Sequence, residues 1–353
     1  MTDQPWWDPN KLKSRKYALD VRRAAIKGVR AYFQAEGFLE VETPALQVSP
    51  GIERHIQPLA TTLRASEGAA PQPRYLHTSP EFAMKKLLAG GLQKIVQICP
   101  VYRDGERTPL HHPVFTMIEW YRAGTDYDAI MNDARGVLRA VGKAANRAIE
   151  TDGTLKWKDR VCDPEKAVEL LTVQNAFQKY VGIDLLATID DHEASMPDAG
   201  KFKAAAAEKG IAVSASDTWE DTFFRVMLER IEPNLGIGAA TILCEYPACL
   251  AALARKMEDD PRVAERFELY ACGVELANAY SELTDVEEQR ARFAADRAIY
   301  ESHYGTAPPV DESFLAALAQ LPPCAGGALG FDRLVMLAAG ATDITEVLWA
   351  EVE

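Results

Sequence analysis

Between residues 14 and 36 the apolar side chains Tyr17, Val21, Ala24, Ala25, Val29, Tyr32 and Phe33 recur at helical spacing. This predicts an amphipathic helix with Ser14 as its N-cap and Gly37 at the C-terminal position that favours positive φ. The stretch FLEVETPAL alternates like a strand and stops at Pro44, whereas the Ala-, Ser-, Gly- and Pro-rich residues 60–74 predict a surface loop. RYLHTSPEFAMKKLLAGG reads as strand, turn and short helix. LQKIVQICPVYRD and VFTMIEWYRAG read as two strands joined through GERTPLHHP, which implies an antiparallel hairpin. Helical patterns follow at 126–149, 165–180 and 199–210 and in DTWEDTFFRVMLERIEPNLG. ATILCEYP and RFELYACGVELANAYSELTD supply further strands, and EEQRARFAADRAIYESHYG a charged amphipathic helix. Near the end, GGALGFDRLVML sets a glycine-rich turn and an Asp-Arg pair before an apolar helix. Hairpins separated by long helical excursions predict an α+β fold, a mostly antiparallel sheet flanked by helices.

Composition narrows what such a fold can serve. The chain has 353 residues, 48% of them hydrophobic, and no repeat or low-complexity tail. No run reaches the roughly 18 consecutive apolar residues of a membrane span, and the N-terminus lacks the apolar stretch of a signal peptide. Six cysteines occur without CxxC or CxxH spacing, which fits reduced cytoplasmic thiols better than a disulfide frame or zinc site. A net charge of −13 with no basic block argues against an electrostatic grip on long nucleic acid and favours small substrates or a protein partner.

Familiar phosphate-binding signatures are absent. GVLRAVGKA at 136–144 has the wrong spacing for a P-loop and lies in a helical pattern, and no GxGxxG follows a strand. His111 and His112 are adjacent, point apart and have no third ligand at suitable spacing, so they read as loop histidines. What remains is charge within apolar strands. Glu268, Glu275 and Glu282 recur every seven residues, Glu119 sits in FTMIEWY, and Arg103 ends IVQICPVYR. Buried unpaired charge is costly, so these residues are best explained as lining one polar cleft. Carboxylates there suit Mg²⁺ or an ammonium group, and arginine forks suit phosphate or carboxylate. That combination describes a site for a nucleoside triphosphate and a small cationic molecule. Arg333 then reads either as a capping residue or as a cation meeting a ligand's negative charge over bare glycine backbone.

These segments resemble the three motifs of the class II aminoacyl-tRNA synthetases, in their lysyl branch. RAAIKGVRAYFQAEGFLEVETPAL resembles motif 1, the dimer-interface element, VYRDGERTPLHHPVFTMIEW motif 2, and GALGFDRLVML motif 3. GVELANAYSELTD resembles the lysyl signature segment, and the match runs in order from about residue 14 to 345. Motif 1 begins so early that no room is expected for the anticodon-reading OB-fold module, so residues 1–353 are expected to form a single catalytic domain. With SPEFAMKKLL, this is similar to the stand-alone group of the family, in which (R)-β-lysine is activated with ATP and attached to a lysine of elongation factor P. The resemblance therefore implies a cytoplasmic homodimeric ligase using ATP and Mg²⁺, with elongation factor P rather than tRNA as acceptor. A minimal enzyme charging tRNA and an inactive regulatory paralogue are the alternatives.

The resemblance also implies roles. Arg103 would bind the α-phosphate and substrate carboxylate, Arg333 the γ-phosphate, and Gly330 would let adenosine approach the backbone. Asp104, Gly105 and His112 fall in the ATP-holding loop, although the family favours Arg-Asn-Glu and His-Asn-Pro-Glu where this chain has Arg103-Asp104-Gly105 and His111-His112-Pro113-Val114. Glu106 stands one residue from the missing glutamate. Glu268 and Glu275 match metal-holding positions, with Leu276 alongside. Ser79, Pro80, Glu81, Glu119, Tyr121, Asn278, Tyr280 and Glu282 match the lysine pocket. Glu282 would meet the side-chain ammonium with Tyr121 closing against it, and Glu81 and Glu119 the other amine. Ala328 stands where lysyl-tRNA synthetases usually carry glycine.

Overall fold

The hairpin read from residues 94–123 forms, and a sheet extends from both of its strands. The computed structural model describes residues 5–51, 53–191 and 196–352. Eight strands make the main sheet: β1 (Leu39–Glu40), β2 (Lys94–Tyr102), β3 (Val114–Ala123), β4 (Glu169–Thr172), β5 (Thr241–Pro247), β6 (Val263–Ala271), β7 (Val274–Ser281) and β8 (Cys324–Gly330). Their order is β1-β2-β3-β8-β7-β6-β5-β4, with the outermost pairs parallel and every other pair antiparallel. The helices used below are α1 (Lys16–Ala35), α2 (Glu81–Ala89), α3 (Tyr127–Ile149), α4 (Val173–Tyr180), α5 (Gly200–Glu208), α6 (Trp219–Val226), α7 (Val286–Tyr304), α8 (Glu312–Leu318) and α9 (Phe331–Ala339). The expected α+β architecture is the one observed.

Strand alternation gives the sheet two unlike faces. On one, Ile118, Trp120, Ala325, Leu329, Ala277, Ala279, Phe267 and Leu269 pack with α1, α3 and α9 into the main core. The other face is polar and carries the cavity described below. A second core, with Phe177, Phe202, Trp219, Phe223 and Tyr246, forms where α4, α5 and α6 pack on the β4–β5 side. Its rings are closely spaced, Phe177 and Phe223 at 5.3 Å between centroids.

Four expectations are corrected. GGALG is not a turn but the C-terminal part of β8, inserted between β3 and β7. Glycine is required there by close approach, since a Cβ on Gly326 would lie 2.2 Å from the Tyr121 ring and one on Gly327 2.8 Å from Ala279 Cβ. Residues 60–74 contain two strands, Ala60–Leu63 and Gln72–Leu76, of a small exposed sheet whose solvated positions carry no apolar alternation. Within 165–180, residues Glu169–Thr172 form edge strand β4, and Thr172 then caps α4. Ser14 ends a separate turn of helix, Pro9–Ser14, capped by Asp8; the break at Arg15 lets its guanidinium bond the carbonyls of Thr345 (2.9 Å) and Trp349 (3.3 Å).

One buried ion pair orients the chain's last motif. Asp332 pairs with Arg22 of α1 and accepts a bond from Thr116 N (2.9 Å), while Arg22 also reaches Thr116 Oγ1 (2.8 Å). With Asp332 locked into the apolar side of the sheet, Arg333 emerges on the other.

Candidate active site

Register aligns the polar face into rows. Gln97, Glu119, Ala328, Asn278 and Glu268 stand side by side across five strands, and Tyr121, Gly326, Tyr280 and Arg266 form the next row. Glu282 follows just beyond β7, its backbone N–H bonded to Cys324 O (2.9 Å). A cavity of about 880 Å³ lies over these rows. Its wall includes Ser79, Pro80 and Glu81 at the start of α2, Arg103 and His112 of the β2–β3 hairpin, and Glu275, Leu276, Gly330 and Arg333. Of the residues predicted from sequence, Asp104 and Gly105 lie outside this wall. Asp104 N bonds Gln57 O (2.8 Å) and its carboxylate caps Gly105 N (2.9 Å), so both shape the hairpin loop.

One end of the cavity is a closed network of carboxylates and hydroxyls. Glu119 accepts bonds from Ser79 Oγ (2.6 Å) and Tyr121 OH (2.7 Å). Tyr121 is thus turned to Glu119 and not to Glu282. Ser79 Oγ also accepts from Glu81 N (3.1 Å), and Tyr280 OH donates to Glu81 Oε1 (2.8 Å). Burial, reinforced by Glu81, pushes the Glu119 carboxyl up to about 8. Burial also pushes Glu282 up to about 8 against the pull of Lys85. Neither carboxylate oxygen of the buried Glu282 has a hydrogen-bond partner among the described residues, and Oε2 is in ion-pair contact with Lys85 Nζ. A buried carboxylate without hydrogen bonds, on a residue of the cavity wall, suits a cationic donor.

The other end is built from arginines at element ends. Arg103 follows β2, its guanidinium over the Phe115 ring (5.1 Å) and 3.7 Å from Glu106, and its Nε is buried without a partner among the described residues. Arg333 donates to Leu110 O (3.2 Å) and Glu275 O (3.1 Å), and its Nη2 lies 2.5 Å from His111 Nε2. Burial, then Arg333 and Arg103, lowers the His111 pKa to about 4, which keeps this imidazole neutral and able to accept. His112 is taken up in the fold, its Nδ1 2.6 Å from Val114 O and its Nε2 accepting from Val352 N (3.3 Å). A Cβ on Gly330 would meet nothing nearer than the Arg333 stem at 3.8 Å, so its backbone is open to the cavity.

Between the ends stand the two candidate metal carboxylates. A bulge in β7 opposite Leu269 and Tyr270 brings both Glu275 and Leu276 to the cavity. Glu275 is the freer: among the described residues its ion pair is with Arg333 Nη1 at 3.6 Å. Glu268 Oε2 accepts from Tyr246 and Tyr270 (2.6 Å each) and Oε1 from Arg266 (2.8 Å), which leaves one of its four lone-pair sites. Oxygen donors in this number fit Mg²⁺, which keeps water and phosphate oxygens as most of its ligands. Among the described residues no cluster of three or more ligating side chains is arranged to hold a metal alone.

Three participants escaped the sequence reading. Arg266 ties Asn278 Oδ1 (3.0 Å) to Glu268, and its alternation with Glu268 in RFELY was the available signal. Lys85 lies beneath Glu81 and Glu282, and its position four residues after Glu81 on one helix face was visible. His111 reads from sequence as a loop histidine, because nothing in the sequence shows its contact with Arg333.

A family model described as tRNA synthetases class II (D, K and N) matches residues 4–349. The chain is 38% identical to the elongation factor P–(R)-beta-lysine ligase of Sodalis glossinidius, over 100% of this chain and 99% of that protein. Identity to the protein of the same name from Pectobacterium atrosepticum is 35%, again over 100% and 99%. For that from Klebsiella pneumoniae it is 36% over 96% of this chain and 94% of the relative. Full-length matches of this kind, over a sheet whose polar face has an acidic and an arginine-lined end, identify the family: the chain belongs to the class II tRNA synthetases, in the group of the elongation factor P–(R)-beta-lysine ligases.

Proposed function

We propose that this protein activates (R)-β-lysine with ATP as an aminoacyl adenylate and transfers it to a lysine side chain of elongation factor P. The observation that carries the reading is the cavity's division into a buried carboxylate end, where Glu282 has no hydrogen bond among the described residues, and an arginine-lined end. One end suits the two ammonium groups of the amino acid, and the other suits triphosphate. Ser79 and Pro80 shape the first end, where Glu282 pairs with the side-chain ammonium and Glu81 and Glu119 serve the second amine. Tyr121, Tyr280 and Asn278 fix the carboxylates and the chain between them. Arg103 draws the substrate carboxylate and α-phosphate together. The carboxylate oxygen attacks phosphorus, pyrophosphate leaves, and Arg103 and Arg333 offset the charge on the phosphates. The acceptor amine, once deprotonated, then attacks the activated carbonyl and AMP departs.

Glu275, with Glu268, would hold Mg²⁺, which when bound offsets phosphate charge. We read residues 1–353 as one catalytic domain with the α4–α6 region as an insertion. The resemblance of α1 and β1 to the dimer element, together with the exposed Leu39 and Tyr17, supports a homodimer. Among the described residues no helix is long and apolar enough to cross a membrane. Work on a translation factor supports a cytoplasmic setting. ATP–pyrophosphate exchange tests the reading: exchange that depends on the amino acid and runs faster with (R)-β-lysine than with lysine is expected. No exchange with either would remove the enzyme.

A further inference from the structure

The acidic end of the cavity contains a cation of its own. The Lys85 side chain, on α2, is only 2% exposed, and its Nζ lies 2.5 Å from both Glu81 Oε1 and Glu282 Oε2. The rings of Tyr121 and Tyr280 flank it at 6.0 and 5.4 Å. Around it on α2, Phe82, Met84 and Leu88 are buried apolar side chains, so a methionine would satisfy packing at this position. A fully buried ammonium is costly unless its partners repay the loss of water. Its presence therefore calls for an electrostatic role. Three carboxylates, Glu81, Glu119 and Glu282, gather at this end; Lys85 pairs with Glu81 and Glu282, and Glu119 accepts from Ser79 Oγ.

We propose that Lys85 is a positioning residue that sets the charge of the amino-acid chamber: with the three carboxylates ionised it leaves two net negative charges, matching a substrate with two ammonium groups. This rests on the diamino-acid reading above and deepens it. By pairing with Glu282 Oε2, Lys85 holds that carboxylate in place in the cavity wall. By its charge it opposes protonation of Glu282, with which it pairs.

The titratable groups facing Lys85 are Glu81 on its own helix, Glu119 and Tyr121 from β3, Tyr280 and Glu282 from β7 and the residue after it, and Cys324 at the start of β8. Burial pulls the Lys85 pKa down, but Glu282 and Glu81 reverse this and hold it above its ordinary value, so Lys85 stays charged. The thiol and both phenols are pushed up and stay protonated. The groups that titrate near neutrality are Glu119 and Glu282, each near 8. A dicationic ligand requires both to be ionised, so its binding releases protons below that pH.

The test is amino-acid-dependent ATP–pyrophosphate exchange by the unaltered protein, Lys85→Met, Lys85→Gln and Lys85→Arg, with (R)-β-lysine and lysine, from about pH 6.5 to 9. For the unaltered protein the amino-acid KM falls as pH rises toward 8. Removing the counter-charge raises carboxylate proton affinity, and one unit of such a shift is about tenfold in binding at low pH. Lys85→Met and Lys85→Gln should therefore raise the amino-acid KM about tenfold or more at pH 7, with the deficit shrinking toward pH 9. The ATP KM and kcat should stay within about threefold, and Lys85→Arg should keep the native pH profile. A deficit equal at every pH, or an arginine variant no better than the neutral ones, overturns the proposal. If neither neutral variant folds, the native protein still decides: an amino-acid KM that does not change between about pH 6.5 and 8 overturns it as well. Absence of exchange by the unaltered protein falls on the enzyme reading instead, which keeps the two failures distinct.

Discussion

At the acidic end of the cavity Glu119 and Glu282 are buried, and each of the three carboxylates is held by a hydroxyl or ammonium already in place. At the arginine end, Arg103, Glu106, Glu275 and Arg333 stand at element termini with side chains 20–41% exposed, held by backbone carbonyls, His111 and loose ion pairs. On the proposed function, the contrast follows from what each end would recognise. Two ammonium groups a fixed chain length apart need acceptors that do not move, and burial in central strands supplies that rigidity. A triphosphate brings its own charge and completes the partners of forks that are only partly engaged beforehand. Asp104, Gly105 and His112 fall in the hairpin loop, whose shape is kept by backbone bonds from Arg103 N to Pro113 O and from Asp104 N to Gln57 O.

The largest effect is expected at the arginine end. Arg103→Ala should lower kcat/KM in pyrophosphate exchange by about a thousandfold, because the guanidinium serves charge that grows in the transition state. A loss of less than about tenfold would break its assignment. Beneath that end, Arg22→Met strands the buried Asp332 and should cost about 3–5 kcal/mol in denaturant unfolding; an unchanged midpoint would mean the pair does not anchor α9. At the acidic end, Glu282→Gln keeps the shape but loses the charge and should raise the amino-acid KM about a hundredfold. Its ATP KM should stay within about threefold, and equal effects on both constants would dissolve the contrast between the ends. The smallest effect falls on the row between them. Ala328 stands directly between Glu119 and Asn278. Ala328→Gly should shift preference toward lysine by about tenfold or less, the scale of one methyl group. Unchanged relative exchange rates for the two isomers would count against a role for that methyl.

The same contrast describes how much was legible in the sequence. Strands β2, β3, β6 and β7 announce themselves because one face packs on a core while the other carries charge. The charges on that second face pointed to a shared cleft before any register was known. β8 was hidden because GGALG lacks the side chains that mark a strand, and its glycines serve rings contributed by other strands. The exposed strand Ala60–Leu63 was hidden because solvent faces it, and edge strand β4 because it is only four residues long, half of them exposed, and runs straight into α4. Lys85 and Arg266 were missed for a different reason. Each acts through a carboxylate from another strand or helix, and such a partnership exists only once register has been set.

The acceptor separates this enzyme from one that charges tRNA. Purified elongation factor P should be incubated with this protein, ATP and (R)-β-lysine, with tRNA(Lys) in a parallel reaction, and the products examined by intact-mass and peptide mass spectrometry. The account predicts one β-lysyl group on a single lysine side chain of the factor and none on the tRNA; modification of tRNA(Lys) alone, with the factor unchanged, would contradict it.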